Sequence, residues 1–454
     1  MPELLYAKEP QGRIPLQELR ELVDSNAVRT VMLAVPDMQG RLKGKRYAAP
    51  HFMDQVAEAG AEFCAYLLAT DIDMLPLGGY KHASWDTGYG DMGVVPDWST
   101  VRRLPGEAGE VQVLGDARHR DGSPVAVAPR QILRRQLDRL SALGLTARAG
   151  LESEFIVYCG RGHQALGSLE PAFGHNADYA LQHPALVGRF LRELEEALTG
   201  CGLPLEAVKT EAAPGQVEVT FRYGQALEAA DNHTVFKHLT RQVADQTENT
   251  ATFMAAPVTG VGSGLHAHIS LWREEEPAPL DETKALTLLG EQVIGGLVEV
   301  LPQLMPLFMP YPNSYKRLRP GSFAPTRMCW GRDNRTCALR LVGHGRQAHL
   351  EIRIPGADAN PYLVLAAVIA ACQTGIDRQL KAPAPVTGNA YHTTAPMLPS
   401  DPGTGLTAFR SSQFAADLFR RDVLVHYARA AQHEIDVLGA AVTDTERDRG
   451  FARA

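Results

Sequence analysis

The chain has 454 residues, 45% of them hydrophobic, and a formal net charge of −7. That is enough apolar content for a core spanning more than one domain, and the mild negative charge argues against a nucleic-acid groove. No run of about eighteen apolar residues occurs, so no membrane span is expected. Met1–Tyr6 lacks the basic and then apolar pattern of a secretory signal. Cys64, Cys159, Cys201, Cys329, Cys337 and Cys372 are scattered without a C-x-x-C pair. They read as reduced thiols of a cytoplasmic protein, not as a disulfide framework or a zinc site.

Leu16, Leu19, Leu22 and Val23 recur at helical spacing and predict a short helix over 14–25. Val28–Pro36 reads as a strand, Asp37–Gly40 as a turn and Arg41–Tyr47 as the returning hairpin strand. A helix is expected near 50–60, and the stretch from Tyr66 to Asp116 is rich in Gly, Asp and Pro turns. Residues 14–115 read as a small sheet-rich domain. After the Asp121-Gly122-Ser123-Pro124 turn, Pro129 opens a helix that Gly144 ends, leading into a larger domain over 122–454. Strands are expected there at 148–158, 216–223, 264–272, 336–342 and 349–354. Helices are expected at 184–201, 225–254, 283–300, 361–380 and 411–439. The lack of a strict βαβ rhythm favours an α+β fold with a large antiparallel sheet and helices outside it.

The chemistry lies in pairs. Glu152-Ser153-Glu154 sits in a strand pattern, where alternate side chains share a face. A lone E-x-E is ordinarily a solvated face, and two like charges side by side are costly unless something neutralises them. The same design recurs in His266-Ala267-His268 and in Glu351-Ile352-Arg353. Glu211 and Glu218 flank the Pro214-Gly215 turn. Together these carboxylates and histidines could line one cavity around metal ions, and such a donor set suits Mg²⁺ or Mn²⁺ better than zinc. Gly260-Val261-Gly262-Ser263-Gly264 reads equally as a flexible turn or as a loop whose bare backbone approaches a small ligand. Eight arginines crowd residues 317–353, and Arg340 and Arg353 stand in apolar strand contexts. An unpaired charge there would be expensive. Arginines beside metal-binding carboxylates are what phosphoryl transfer needs, and there is no P-loop motif.

These segments resemble the glutamine synthetase family. The matching pieces are Glu152-Ser-Glu154-Phe, Glu211-Ala-Ala-Pro-Gly-Gln-Val-Glu218, Gly262-Ser-Gly-Leu-His266-Ala-His268, Asn313-Ser-Tyr-Lys-Arg317, Asp333-Asn-Arg335 with Arg340, and Glu351-Ile-Arg353 before Ala359-Asn-Pro-Tyr. The resemblance implies a small N-terminal β-grasp domain and a larger catalytic domain with a curved antiparallel sheet. It implies self-association into rings, typically a homododecamer, with ATP and glutamate as substrates and two or more Mg²⁺ or Mn²⁺ ions per site. By motif position, Glu154, Glu211 and Glu218 would hold one metal, and Glu152, His266 and Glu351 the other. Gly262 and Arg317 would bind glutamate; Arg335, Arg340 and Arg353 would face phosphate as catalytic arginines. His268 and Arg340 would approach ATP, and Tyr223 falls where a ring stacks on adenine.

The chain departs from glutamine synthetases on the ammonium side. Where they carry a flap glutamate, this chain reads Pro320-Gly321-Ser322-Phe323-Ala324-Pro325, and Val261 replaces an asparagine before the glycine loop. Their small-domain Asp-Gly-Ser-Ser is missing from Thr70–Gly79, where Asp71 and Asp73, with Asp86 nearby, are candidate partners for an amine. An alkylamine can gain affinity by burying methylenes, at about 0.8 kcal/mol each. The Ser-Phe-Ala-Pro-Thr stretch and Trp330–Arg335 look like the γ-glutamyl-amine ligases, acting on polyamines, putrescine or ethanolamine in amine catabolism or detoxification. The alternatives are ammonia-dependent glutamine synthesis and a non-enzymatic structural relative; Tyr391 lies near the family's adenylylation position and is read as an ordinary loop tyrosine.

Overall fold

In the strand Thr30–Pro36, Val31, Leu33 and Val35 alternate onto one buried face, where they share a core with Leu19 and Val23 of the helix Leu16–Asp24. The structure is a computed structural model and describes residues 12–106, 109–161, 169–274, 276–277, 286–343 and 345–453. Six described strands make the first sheet: β1 Thr30–Pro36, β2 Leu42–Ala48, β3 Ala61–Cys64, β4 Asp91–Pro96, β5 Arg102–Arg103 and β6 Glu110–Arg118. They run in the order β2-β1-β6-β4-β3, with β5 beside β6. The expected hairpin is present as β1 antiparallel to β2, while β1 and β6 pair in parallel.

The second sheet is built on the long strand β7, Thr146–Cys159. Its other described strands are β8 Glu170–Pro171, β9 Leu205–Thr210, β10 Gln216–Phe221, β11 Gly224–Gln225, β12 Asn249–Thr252, β13 Leu265–Arg273, β14 Glu276–Pro277, β15 Trp330–Arg332, β16 Leu339–Val342 and β17 His349–Ile352. The order is β15-β16-β17-β13-β7-β10-β9, antiparallel except for the parallel pair β15–β16. With helices flanking the strands, the fold is α+β. The helix Pro361–Asp377 is buried along most of its length and packs against Leu288–Val300. Their contact is close: a methyl on Gly296 would meet the Ala371 carbonyl oxygen at 2.2 Å. Among the described residues no helix is long and apolar enough to cross a membrane.

Several elements differ from expectation. The helix expected over 225–254 spans Ala226–Gln246, and Asn249–Thr252 form β12 instead. Glu248 takes φ +59°, a left-handed turn that ends the helix. The helix expected over 411–439 is interrupted: Pro402–Ser411, Gln413–Phe419 and Arg421–Ala440 are separate, with Ser412 capping the second and Arg420 at φ +70° breaking before the third. The 50–60 helix reduces to Ala49–His51 and a π turn at Phe52–Val56. The strand expected over 336–342 begins at Leu339, because Asn334 folds Thr336 into a side-chain turn. The helix expected from 283 is seen from Leu288; residues 283–285 lie outside the described residues.

Arg130, near the start of the helix Pro129–Ser141, ties the first sheet to the helix Ala226–Gln246. It bonds Asp116 at 2.5 Å and Asp97 at 2.7 Å, and it grips both oxygens of Asp231 on the helix Ala226–Gln246 at 2.9 and 2.8 Å. Tyr362 donates to Asp231 at 2.7 Å. A guanidinium fork suits such bidentate pairing, and the surrounding carboxylates raise its pKa despite its burial.

Candidate active site

Strand register assembles the site. Glu154 on β7 stands opposite Glu218 on β10, which stands opposite Lys209 on β9. Glu152 stands opposite His266 on β13. One step along, Gly150, His268, Glu351 and Arg340 form a row across β7, β13, β17 and β16. Cross-strand neighbours lie within side-chain reach, so groups far apart in sequence become adjacent. Glu211 joins from the turn after β9, where its N–H donates to the Gln216 carbonyl at 2.8 Å. That turn needs Gly215, at φ +72°, since a Cβ there would meet the Val157 carbonyl oxygen at 2.5 Å.

The expected metal ligands therefore converge as two groups: Glu152, His266 and Glu351, and Glu154, Glu211 and Glu218. Ligand atoms within each group lie within 4.8 Å of one another. The two groups differ electrostatically. In the first, His266 Nδ1 lies 2.7 Å from Glu152 Oε1, Arg340 bonds Glu351 at 2.9 Å and Arg353 ion-pairs with Glu351. Burial disfavours charge on Glu351, but His266, Arg353 and His268 outweigh it and hold the carboxyl down at about 2. Glu152 is held well below its usual range by His266 and His268, again against burial. In the second group, burial, with Glu152 and Glu211 nearby, pushes the Glu218 carboxyl up. Burial likewise raises Glu154, and the repulsion of Glu211 adds to it. Three carboxyls here share a single close cation, the Lys209 ammonium beside Glu211 and Glu218, and a divalent cation would supply further positive charge. Oxygen donors with one histidine fit Mg²⁺ or Mn²⁺.

Arg317 is buried. It donates to the Arg353 and Ile354 carbonyls at 3.2 and 3.1 Å, and its Nη2 lies 3.5 Å from His266 Nε2. Burial lowers it to about 10 against the pull of Glu154. The glycine loop closes over it: a Cβ on Gly262 would meet Arg317 Cγ at 2.9 Å, and one on Gly264 its Nη2 at 2.5 Å. Gly264 N–H donates to Glu154 at 2.7 Å. Gln216, which sequence reasoning missed, donates to the Gly262 carbonyl at 2.9 Å and to Glu154 at 3.3 Å. Val261 is half-buried in that loop.

His268 gains a partner that sequence reasoning also missed. His349 Nδ1 lies 2.8 Å from the Gln347 carbonyl, so it carries the proton, and His349 Nε2 accepts from His268 Nδ1 at 3.0 Å. His268 Nε2 then faces Glu152 Oε2 at 3.5 Å without a hydrogen bond among the described residues. Tyr223, 54% exposed, lies over Gly150, which is opposite His268. Arg340 is shared between Asp333 and Glu351. Arg335 is exposed on the loop between β15 and β16, and no described hydrogen bond joins it to either group.

Phe323 is 61% exposed and takes φ +58°. Its carbonyl accepts from Arg353 at 3.4 Å, and the next carbonyl, of Ala324, accepts from Tyr391 Oη at 3.0 Å. Asp71 is occupied as a turn builder: it accepts from the Asp73 and Leu75 N–H groups at 3.0 and 2.8 Å and faces His433 at 3.3 Å. Asp73 and Asp86 are exposed.

Comparisons with known proteins place the chain among relatives of one family. The family described as glutamine synthetase, catalytic domain, matches residues 126–450. The gamma-glutamylethanolamide synthetase of Streptomyces coelicolor is 43% identical, covering 99% of this chain and 98% of that protein. The glutamate–isopropylamine ligase of a Pseudomonas species is 30% identical, covering 97% and 98%. Among solved structures, a GmaS/ADP complex superposes with a TM-score of 0.84 at 25% identity, covering 96% of this chain and all of that one.

Proposed function

Because the chain belongs to the glutamine synthetase family, we propose that it is an ATP-dependent ligase joining the glutamate γ-carboxylate to an organic amine through γ-glutamyl phosphate. The observation that carries this reading is an asymmetry. Both acidic groups are assembled, the first with Arg340 and Arg353 paired to Glu351, whereas Phe323 stands where the family's ammonia-using members carry a carboxylate. The relatives named for ethanolamide and isopropylamine products support an organic acceptor.

In this reading Glu154, Glu211 and Glu218 hold one Mg²⁺ or Mn²⁺, and Glu152, His266 and Glu351 hold another. When bound, these ions screen the repulsion between the ATP phosphates and the glutamate carboxylate. Arg340 and Arg353 add fixed positive charge where the phosphoryl group moves. Arg335, exposed on its loop, closes onto phosphate with the ligand. His268 and Tyr223 meet the nucleotide at the Gly150 end of the row, and Arg317 with Gly262 frames the glutamate pocket. Phosphorylation turns a poor electrophile into an acyl phosphate, and the neutral amine attacks the acyl carbon and expels phosphate. Phe323 and Val261 border the acceptor side. We read the chain as a β-grasp domain over 14–115 and a catalytic domain over 122–454, working in the cytoplasm as a ring-shaped homododecamer.

The test is phosphate release from ATP with glutamate and a panel of amines: ammonium, methylamine, ethanolamine, putrescine, spermidine and an aromatic amine. Turnover with an organic amine and little with ammonium is expected. Ammonium as the best acceptor would return the chain to plain glutamine synthesis.

A further inference from the structure

Lys209 was not part of the expected site, yet it extends one of its rows. It stands directly opposite Glu218 across β9 and β10, one strand beyond Glu154. Its ammonium ion-pairs with Glu211, lies 3.5 Å from Glu218 Oε2 and 3.6 Å from Asp178 Oδ1, and sits over the Tyr179 ring at 4.6 Å. Burial disfavours that charge, but the hydrogen bond to Glu211 and the fields of Glu218, Glu211 and Asp178 outweigh it and raise the lysine above its ordinary range.

We propose that Lys209 is the resident counter-ion of the Glu154–Glu211–Glu218 group, and that a divalent cation binding there displaces its ammonium toward Asp178 and Tyr179. The inference rests on reading that group as a metal site. An ammonium and a dication cannot both occupy the space between Glu211 and Glu218, because they compete for the same oxygens and repel one another. The arginines of the other group are more deeply fixed: the side chains of Arg340 and Arg353 are 11% and 6% exposed, that of Lys209 22%. A four-carbon stem carrying a point charge can swing where a bidentate fork cannot. The second berth already exists, since Asp178 offers a carboxylate and Tyr179 a ring face that attracts a cation. Metal binding and the position of one lysine are therefore linked. By reciprocity, whatever holds Lys209 in the acidic group weakens the metal by the same factor.

The experiment is Mn²⁺ binding to the full-length chain, read from the electron paramagnetic resonance of the free ion, together with thermal midpoints with and without Mn²⁺. In Lys209→Met, one Mn²⁺ per chain is expected to bind roughly fivefold tighter or more. The metal-free midpoint should fall while the metal-bound midpoint stays near that of the wild type. Lys209→Gln, which keeps a polar tip, should show the same pattern if Lys209→Met folds poorly. A lysine with a merely structural role would lower both midpoints alike and leave Mn²⁺ affinity unchanged. That result, or weaker Mn²⁺ binding in both variants, overturns the proposal while leaving the metal site standing. A wild-type chain that binds no Mn²⁺ removes the metal site and the proposal together.

Discussion

The Arg353 guanidinium donates to the main-chain carbonyl of Phe323 at 3.4 Å, while its other nitrogen ion-pairs with Glu351. The loop carrying Phe323 is thus held through its backbone by an arginine that also pairs with Glu351. The side chain at 323 is free of that duty and points outward. Phe323→Glu should therefore keep the loop in place and restore a carboxylate able to take a proton from ammonium. Ammonium-dependent phosphate release is expected to rise on the order of 100-fold relative to release with the best organic amine, the low end of what a positioned base contributes. An unchanged ratio would show that residue 323 does not set acceptor choice.

Metal removal should be visible without any substrate. The Glu154–Glu211–Glu218 group carries more negative charge than its surroundings neutralise, so Mg²⁺ or Mn²⁺ should raise the thermal midpoint and EDTA should reverse the gain. In Glu218→Gln one repelling carboxyl is gone. Its metal-free midpoint should equal or exceed that of the wild type, and its metal-induced gain should shrink. A gain of undiminished size in this variant would place the stabilising ion elsewhere.

Arg130 is buried against Asp97, Asp116 and Asp231. Removing the cation leaves three carboxylates without their partner. Arg130→Met is expected to lose about 3–5 kcal/mol in urea unfolding, the usual cost of breaking a buried ion pair from one side. A loss below about 1 kcal/mol would mean that the aspartates find other partners.

Two histidines predict acid sensitivity. Burial, with His119 nearby, lowers His82 to about 4, and burial, with His82 nearby, lowers His426 to about 3. His426 packs at a tilt against Tyr80, with ring centroids 4.4 Å apart. Both rings are neutral in the folded chain, whereas the unfolded chain takes up protons below its ordinary pKa of about 6.5. Their contribution to stability is full above that value and declines as pH falls toward the folded pKa values. The slope is up to about 1.4 kcal/mol per pH unit for each ring. Urea midpoints should fall between pH 7 and pH 5, and less steeply in a His82→Gln/His426→Asn double variant. Equal slopes in the two proteins would assign the acid loss to other groups.

Much of the site was legible because strands advertise their faces. Glu152 with Glu154, and His266 with His268, could be paired from spacing alone, and the sheet confirms that each pair shares a face. What was not legible depends on register between strands. Lys209, Gln216 and His349 gain their significance from neighbours across the sheet, and nothing in their local spacing announces those neighbours. Arg317 lies buried beneath two glycines whose missing side chains make room for it, a packing that its local spacing does not announce. The overrun of the 225–254 helix has a local cause. The left-handed Glu248 stops it, and the threonines of β12 favour a strand beyond.

The rows of acidic and basic groups across β9, β10, β7, β13, β17 and β16 also limit how such a chain can evolve. Side chains alternate with a period of two, so deleting or inserting one residue within β10 would turn Glu218 to the core and bring a valine into its place. The same holds for β7, β13 and β17, each of which carries residues of the acidic groups on one face. Descendants of this sequence can exchange residues along these strands, as position 323 illustrates on a loop, but changes in length must fall in the connections. New acceptor specificities are therefore to be sought in loop length and loop composition, with the strand lengths held constant.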